Sequence, residues 1–108
     1  MFLSLALAAM FSTPRGELVC SYDPDRNGNK IVLRSDGSVR FVGLEVSEKD
    51  SVMQADIYRK TAASLLYKIV MGGRTDIFRV SLKTLHGTQT LDYGPSEQPR
   101  SFHLVCER

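Results

Sequence analysis

The sequence predicts a mainly β protein: a small antiparallel β-barrel or sandwich of about eight strands, with one disulfide joining the first and last strands. Three observations predict it. Short segments alternate apolar and polar residues with period two; glycine-containing turn dipeptides separate them; and the two cysteines, Cys20 and Cys106, lie in strand-like segments near opposite ends of the chain.

A chain of 108 residues has room for one domain. Its hydrophobic share of 43% and charged share of 24% are those of an ordinary globular protein. The formal net charge is +2, with acidic and basic residues interleaved. That falls well short of the Lys/Arg loading that neutralises a phosphate backbone. Neither nucleic acid nor an anionic membrane surface is expected as a partner.

Met1 to Ser12 carries no charge and is nearly all apolar. The segment is too short for the roughly 20 residues of a membrane-spanning helix and has the length of a signal-peptide h-region. No Lys or Arg precedes it, and Met10 and Phe11 interrupt the small-x-small pattern of a cleavage site. A start further upstream accounts for the first departure; a buried N-terminal helix is the alternative reading. The expectation is a signal segment over 1–12, cleavage between Met10 and Glu17, a single β domain over 13–108, and a periplasmic or extracellular location. Val19 stands where a lipoprotein needs a small residue before its cysteine, so lipidation of Cys20 is not expected.

The first predicted strand places Leu18, Cys20 and Tyr22 on one alternation face, and the last does the same with Phe102, Leu104 and Cys106. Both sulfurs should point inward, and two cysteines in a short exported chain most simply form one bridge. Closing most of the chain into a loop stabilises a fold by about 4–5 kcal/mol in the chain-entropy account. Reduced, buried thiols in a cytosolic protein are the competing expectation.

Between the cysteines, Asn27-Gly28, Asp36-Gly37 and Gly72-Gly73 suit two-residue hairpin turns. His86-Gly87 and the Tyr93–Pro99 stretch are further breaks. Leu65, Tyr67, Ile69 and Met71 form one inward set. Phe78, Val80 and Leu82 form another across the Gly72-Gly73 turn, with Arg79, Ser81 and Lys83 facing water. Leu91 with Tyr93, and Phe102 with Leu104, supply shorter sets. From Val39 to Val46 the phase shifts: Val39 and Phe41 share one face, and Val42, Leu44 and Val46 the other, which predicts a barrel corner near Gly43. Residues 47–64 read two ways. Ser47-Glu48-Lys49-Asp50 resembles a helix capping box, whereas Met53, Ala55 and Ile57 alternate as a strand. A strand is expected, because it leaves the meander unbroken.

Chemistry-bearing patterns are sparse. Asp23-Pro24-Asp25-Arg26-Asn27-Gly28-Asn29 matches the first half of an EF-hand calcium loop, but Arg34 occupies the position of the bidentate Glu and Lys30 that of an aliphatic residue. An Asx-rich hairpin turn is the expected reading; a shorter calcium loop with Asp23, Asp25 and Asn27 as ligands is the alternative. His86 beside a turn and His103 on an outward position read as surface histidines, without the three or four convergent ligands of a zinc site. There is no G-x-S-x-G motif and no phosphate-cradling spacing around Gly72-Gly73-Arg74-Thr75. No catalytic residue, metal or cofactor is predicted.

Tyr93 to Arg100 is the longest irregular stretch after the leader, polar and stiffened by Pro95 and Pro99. Rigidly held loops on β scaffolds often carry recognition, so Glu97 and Arg100 are the candidate binding residues. The functional expectation is a non-enzymatic, inhibitor-like binding module for another envelope or extracellular protein. Compact bacterial lysozyme inhibitors share this size class, export and a cystine, although their motif residues are not found here. The alternative is a small β-barrel holding an apolar ligand; an enzyme ranks below both.

Overall fold

The computed structural model describes residues 16–43 and 51–108. Among them nine antiparallel strands form one sheet: β1 (Leu18–Asp23), β2 (Lys30–Leu33), β3 (Ser38–Val42), β4 (Val52–Gln54), β5 (Ile57–Lys60), β6 (Ser64–Met71), β7 (Arg74–Ser81), β8 (His86–Asp92) and β9 (Arg100–Glu107). Their order across the sheet is β4-β3-β2-β1-β9-β8-β7-β6-β5. Two meanders therefore meet where the first and last strands pair. The expected leader over 1–12 and the capping-box residues 47–50 lie outside the described residues.

The sheet curls into a half-barrel rather than splitting into a sandwich. Phe41 on β3 and Phe78 on β7 stand five strand spacings apart, about 24 Å in a flat sheet, yet their ring centroids are 6.1 Å apart. Tyr67 on β6 donates its hydroxyl to the Arg34 carbonyl in the β2–β3 connection at 2.7 Å. Only a curled sheet brings these wings together.

The two edge strands are consecutive in the chain. Ala55 N–H donates to Gly37 O, and the next residue, Asp56, donates its N–H to Lys68 O. The run 52–60 thus leaves β3 and joins β6 at one peptide, so nine strands appear where about eight were expected. The same hand-over corrects the inward assignment. Met53 and Ala55 pack against the core, but beyond the switch Tyr58 does so, while Ile57 is exposed. Changing partners shifts the pleat by one residue.

Cys20 and Cys106 face each other directly across β1 and β9 and form the disulfide, closing a sequence separation of 86 residues. Around it lie Leu18, Ile31, Leu33, Val39, Leu65, Tyr67, Ile69, Phe78, Val80 and Leu104, all buried. The inward sets read from the β6–β7 alternation are those observed. Burying this apolar area against itself drives the curl.

Turn chemistry departs from expectation at two sites, the first being Asn27-Gly28, which lies within the longer connection between Asp23 and Lys30 and not in a two-residue hairpin. Gly72-Gly73 links paired Met71 and Arg74 as a two-residue turn. At Asp36-Gly37, by contrast, Arg34 N–H donates to Ser38 O, leaving three residues in the loop with Gly37 at φ 85°. That is the bulged three-residue hairpin, in which glycine takes the left-handed position. The Ser38 hydroxyl and N–H both bond the Asp36 carboxylate, holding its pKa below the ordinary value. As for the predicted corner, β3 ends at Val42 before Gly43 at φ 104°; Leu44 and Val46 lie outside the described residues.

Candidate functional site

The registers gather several connections at one end of the half-barrel. Asp23 pairs with His103, Lys30 with Val42, Met71 with Arg74, and Thr75 with Asp92. Residues 24–29, 72–73 and 93–99 therefore share that end, and β3 runs out toward it. The opposite end carries 34–37, 61–63 and 82–85.

The 93–99 loop is held by local bonds. Gly94 N–H donates to Asp92 Oδ1 at 2.9 Å, and Glu97 N–H to Gly94 O at 3.3 Å. Glu97 is exposed at the loop tip, whereas Arg100 is the exposed first residue of β9, paired with Leu91. Beside this loop, the 24–29 connection is built by Asp25, whose carboxylate accepts from Gly28 N–H at 3.2 and 3.3 Å, and by Asn29 N–H donating to Arg26 O. The Asp25 carboxylate thus caps the backbone three residues on, and the Arg26–Asn29 bond closes a main-chain turn. Among the described residues, no three of His, Cys, Asp and Glu converge on a common metal position.

Beneath the loops lies a polar floor that the sequence reading missed. Asp76, entirely buried, accepts from Arg74 Nε at 2.7 Å and Nη2 at 3.1 Å. Gln89 Nε2 points to the same carboxylate at 3.5 Å, and Tyr22 donates its hydroxyl to Gln89 Oε1. The bonds to Asp76 raise the Arg74 pKa above its ordinary value; burial raises that of Tyr22. Above this chain the Arg26 guanidinium sits 4.0 Å over the Phe102 ring and 5.2 Å from that of Tyr22. A cavity of about 250 Å3 opens here, lined by Tyr22, Arg26, Phe41, Arg74, Gln89 and Leu91 among others.

The floor was partly legible. Asp76 shares the alternation phase of Phe78 and Val80, which places it inward, but a carboxylate at that phase reads as a strand terminus unless its partner is known. Arg74, two residues earlier on the same face, is that partner. Each polar group on this floor is engaged by a neighbour, so the network fixes the loop bases in position.

The histidines do not stand apart as their sequence positions imply. On the outer face of β8 and β9, His86 Nδ1 and His103 Nε2 are 3.1 Å apart, and His103 Nδ1 is 3.8 Å from Asp23 Oδ2. Only the strand pairing creates this group.

Fold and site together define a disulfide-tied antiparallel half-barrel with a buried apolar core and charged loops at one end. No family model, curated protein or solved structure matches the chain. An intramolecular disulfide is compatible with an oxidising compartment, and among the described residues no helix is long and apolar enough to cross a membrane.

Proposed function

We propose that this protein is a non-enzymatic recognition module of the periplasm or extracellular space, binding another envelope or extracellular protein through the loop end of its half-barrel. The packed apolar core carries this reading. Tyr67, Phe78, Leu33, Val39, Leu104 and Cys20 have no exposed surface and occupy the space in which a barrel would hold a ligand. The loop end displays Asp25, Arg26 and Glu97 on connections held by local hydrogen bonds, with Arg100 at the start of β9, and so offers both signs of charge. Such preorganisation lowers the ordering cost of association.

Photo-crosslinking tests the reading in protein exported to the periplasm, with a benzophenone side chain replacing Glu97 or, at the opposite end, Lys83. An adduct with one partner from Glu97 and none from Lys83 is expected. Alanine at Glu97 and Arg100 together should then weaken that partner's binding at least tenfold, about 1.4 kcal/mol. Inhibition of lysozyme is one activity readout. Unaltered partner binding by the double alanine variant overturns the assignment of the loop.

A second reading, a small apolar ligand, draws support from the 250 Å3 cavity with Phe41 and Leu91 in its wall. That volume lies just below the roughly 300–1,000 Å3 of ordinary ligand pockets. Native mass spectrometry of protein from its own host, showing a retained small molecule, would favour this reading.

A further inference from the structure

We propose that His86 and His103 form a two-imidazole binding site for a divalent transition cation of the zinc class, with Asp23 orienting His103. The site lies on the outer face of the sheet, away from the polar floor, and is independent of the recognition reading above.

The pleat and register build it. His86 and Thr88 point outward on β8, as do His103 and Val105 on β9, and β8 pairs with β9 so that Thr88 opposes His103 and His86 opposes Val105. His86 and His103 are therefore diagonal neighbours on one face, within reach of each other's ring. Their centroids are 5.1 Å apart with planes inclined at 34°, and the facing nitrogens are separated by 3.1 Å. Two imidazoles bound to one zinc at about 2.0–2.1 Å place their nitrogens roughly 2.9 to 3.4 Å apart as the angle at the metal opens from square to tetrahedral. The observed separation falls inside that window. Both rings are exposed, so small rotations would turn the two lone pairs onto a common point without moving the backbone.

Asp23 supplies the second observation. It pairs directly with His103 from β1, and its Oδ2 lies 3.8 Å from His103 Nδ1. A carboxylate on that side favours the tautomer with hydrogen on Nδ1, which leaves Nε2 as a lone pair directed at His86. This is the carboxylate–histidine arrangement that commonly stands behind metal-bound imidazoles. In the metal-free state one ring donates to the other; with a cation between them, His86 adopts the tautomer with its proton on Nε2 and both facing nitrogens become ligands. Imidazole donors suit zinc, copper and nickel over calcium or magnesium. With two protein ligands, the remaining coordination positions belong to water, so affinity should sit well below that of a structural zinc centre.

The test is isothermal titration of the tag-free protein with zinc chloride, alongside His86→Asn, His103→Asn and Asp23→Asn. Each variant's melting temperature is first measured in chelator to confirm folding. One-to-one binding in the micromolar range is expected for the unsubstituted protein, lost in either histidine variant and weakened about tenfold in Asp23→Asn. Nickel should broaden the ring-proton NMR signals of both histidines together, while millimolar magnesium leaves them unchanged. Absence of zinc binding up to millimolar concentration, or an isotherm unchanged in both histidine variants, overturns the site. An unchanged affinity in Asp23→Asn overturns the role of the carboxylate.

Discussion

Arg74 and Asp76, two residues apart on β7, form a two-point ion pair whose carboxylate is sealed inside the half-barrel while the guanidinium reaches the loop end. Alternation puts both side chains on the inner face, so one strand supplies the buried charge and its counter-ion. Gln89 from β8 and Tyr22 from β1 extend the bonding across the sheet. The pair ties the hairpin around Gly72-Gly73 to the base of the other loops.

Among the described residues, removing Arg74 leaves the buried Asp76 carboxylate only a long contact to Gln89. Arg74→Met should cost about 3 kcal/mol, the low end for breaking a buried pair, because the guanidinium is partly solvated. Arg74→Met combined with Asp76→Leu should recover part of that loss, since no unpaired charge remains. Urea unfolding of the single and double variants measures both.

Gly87 is fixed by close approach of β7. A Cβ there would lie 2.1 Å from the Arg79 carbonyl oxygen and 2.7 Å from Val80 Cγ2. Gly87→Ala should therefore destabilise by about 3 kcal/mol or more, at the upper end for overpacking. A Cβ at Gly73 meets nothing within 4 Å, so Gly73→Ala should stay within about 0.5 kcal/mol. Thermal melts of the two variants separate steric demand from mere turn composition.

Alkaline pH should unfold the protein through its buried tyrosines. Burial raises the pKa of Tyr67 and of Tyr22 above the ordinary value of 10.0, and the Tyr58 hydroxyl raises that of Tyr67 further. The unfolded chain loses these protons near pH 10 while the folded one retains them. Stability is thus fully present below the unfolded value and falls as pH rises through it toward the folded values. In a spectrophotometric titration, the absorbance change of Tyr22 and Tyr67 should coincide with loss of the β signal in circular dichroism. Tyr67→Phe should move that unfolding to higher pH, provided its lost bond to Arg34 O is allowed for by comparison at neutral pH.

Reduction of Cys20–Cys106 frees a loop spanning 86 residues. The chain-entropy account gives about 4–5 kcal/mol for a loop of this length. The urea midpoint should fall accordingly in reductant, and the paired alanine variant should reproduce the shift without reductant. A midpoint insensitive to both would show that pairing of β1 with β9 already holds the ends without the bridge.

Local rules made much of the fold legible. Alternation located the inward faces of β1, β6, β7 and β9, because a pleat repeats every two residues whatever lies beyond it. From those faces followed the bridge between Cys20 and Cys106. Residues 52–60 were legible as strand but not as a strand with two partners, since the step from β3 to β6 at Ala55–Asp56 is decided by which edges the curl brings near. Glu97 and Arg100 could be placed on or beside a polar loop, while their company at one end with Arg26 depended on the registers of separate hairpins.

The sequence by itself determined most of the strands, the inward faces of β1, β6, β7 and β9, and which cysteines pair, because steric alternation acts over a few residues. Tertiary structure alone decided that Asp76 is sheltered by Arg74, Gln89 and Tyr22, that Phe41 meets Phe78 across the curl, and that His86, His103 and Asp23 stand together. Those juxtapositions depend on register between strands distant in sequence, where a slip of one residue would carry each side chain to the other face.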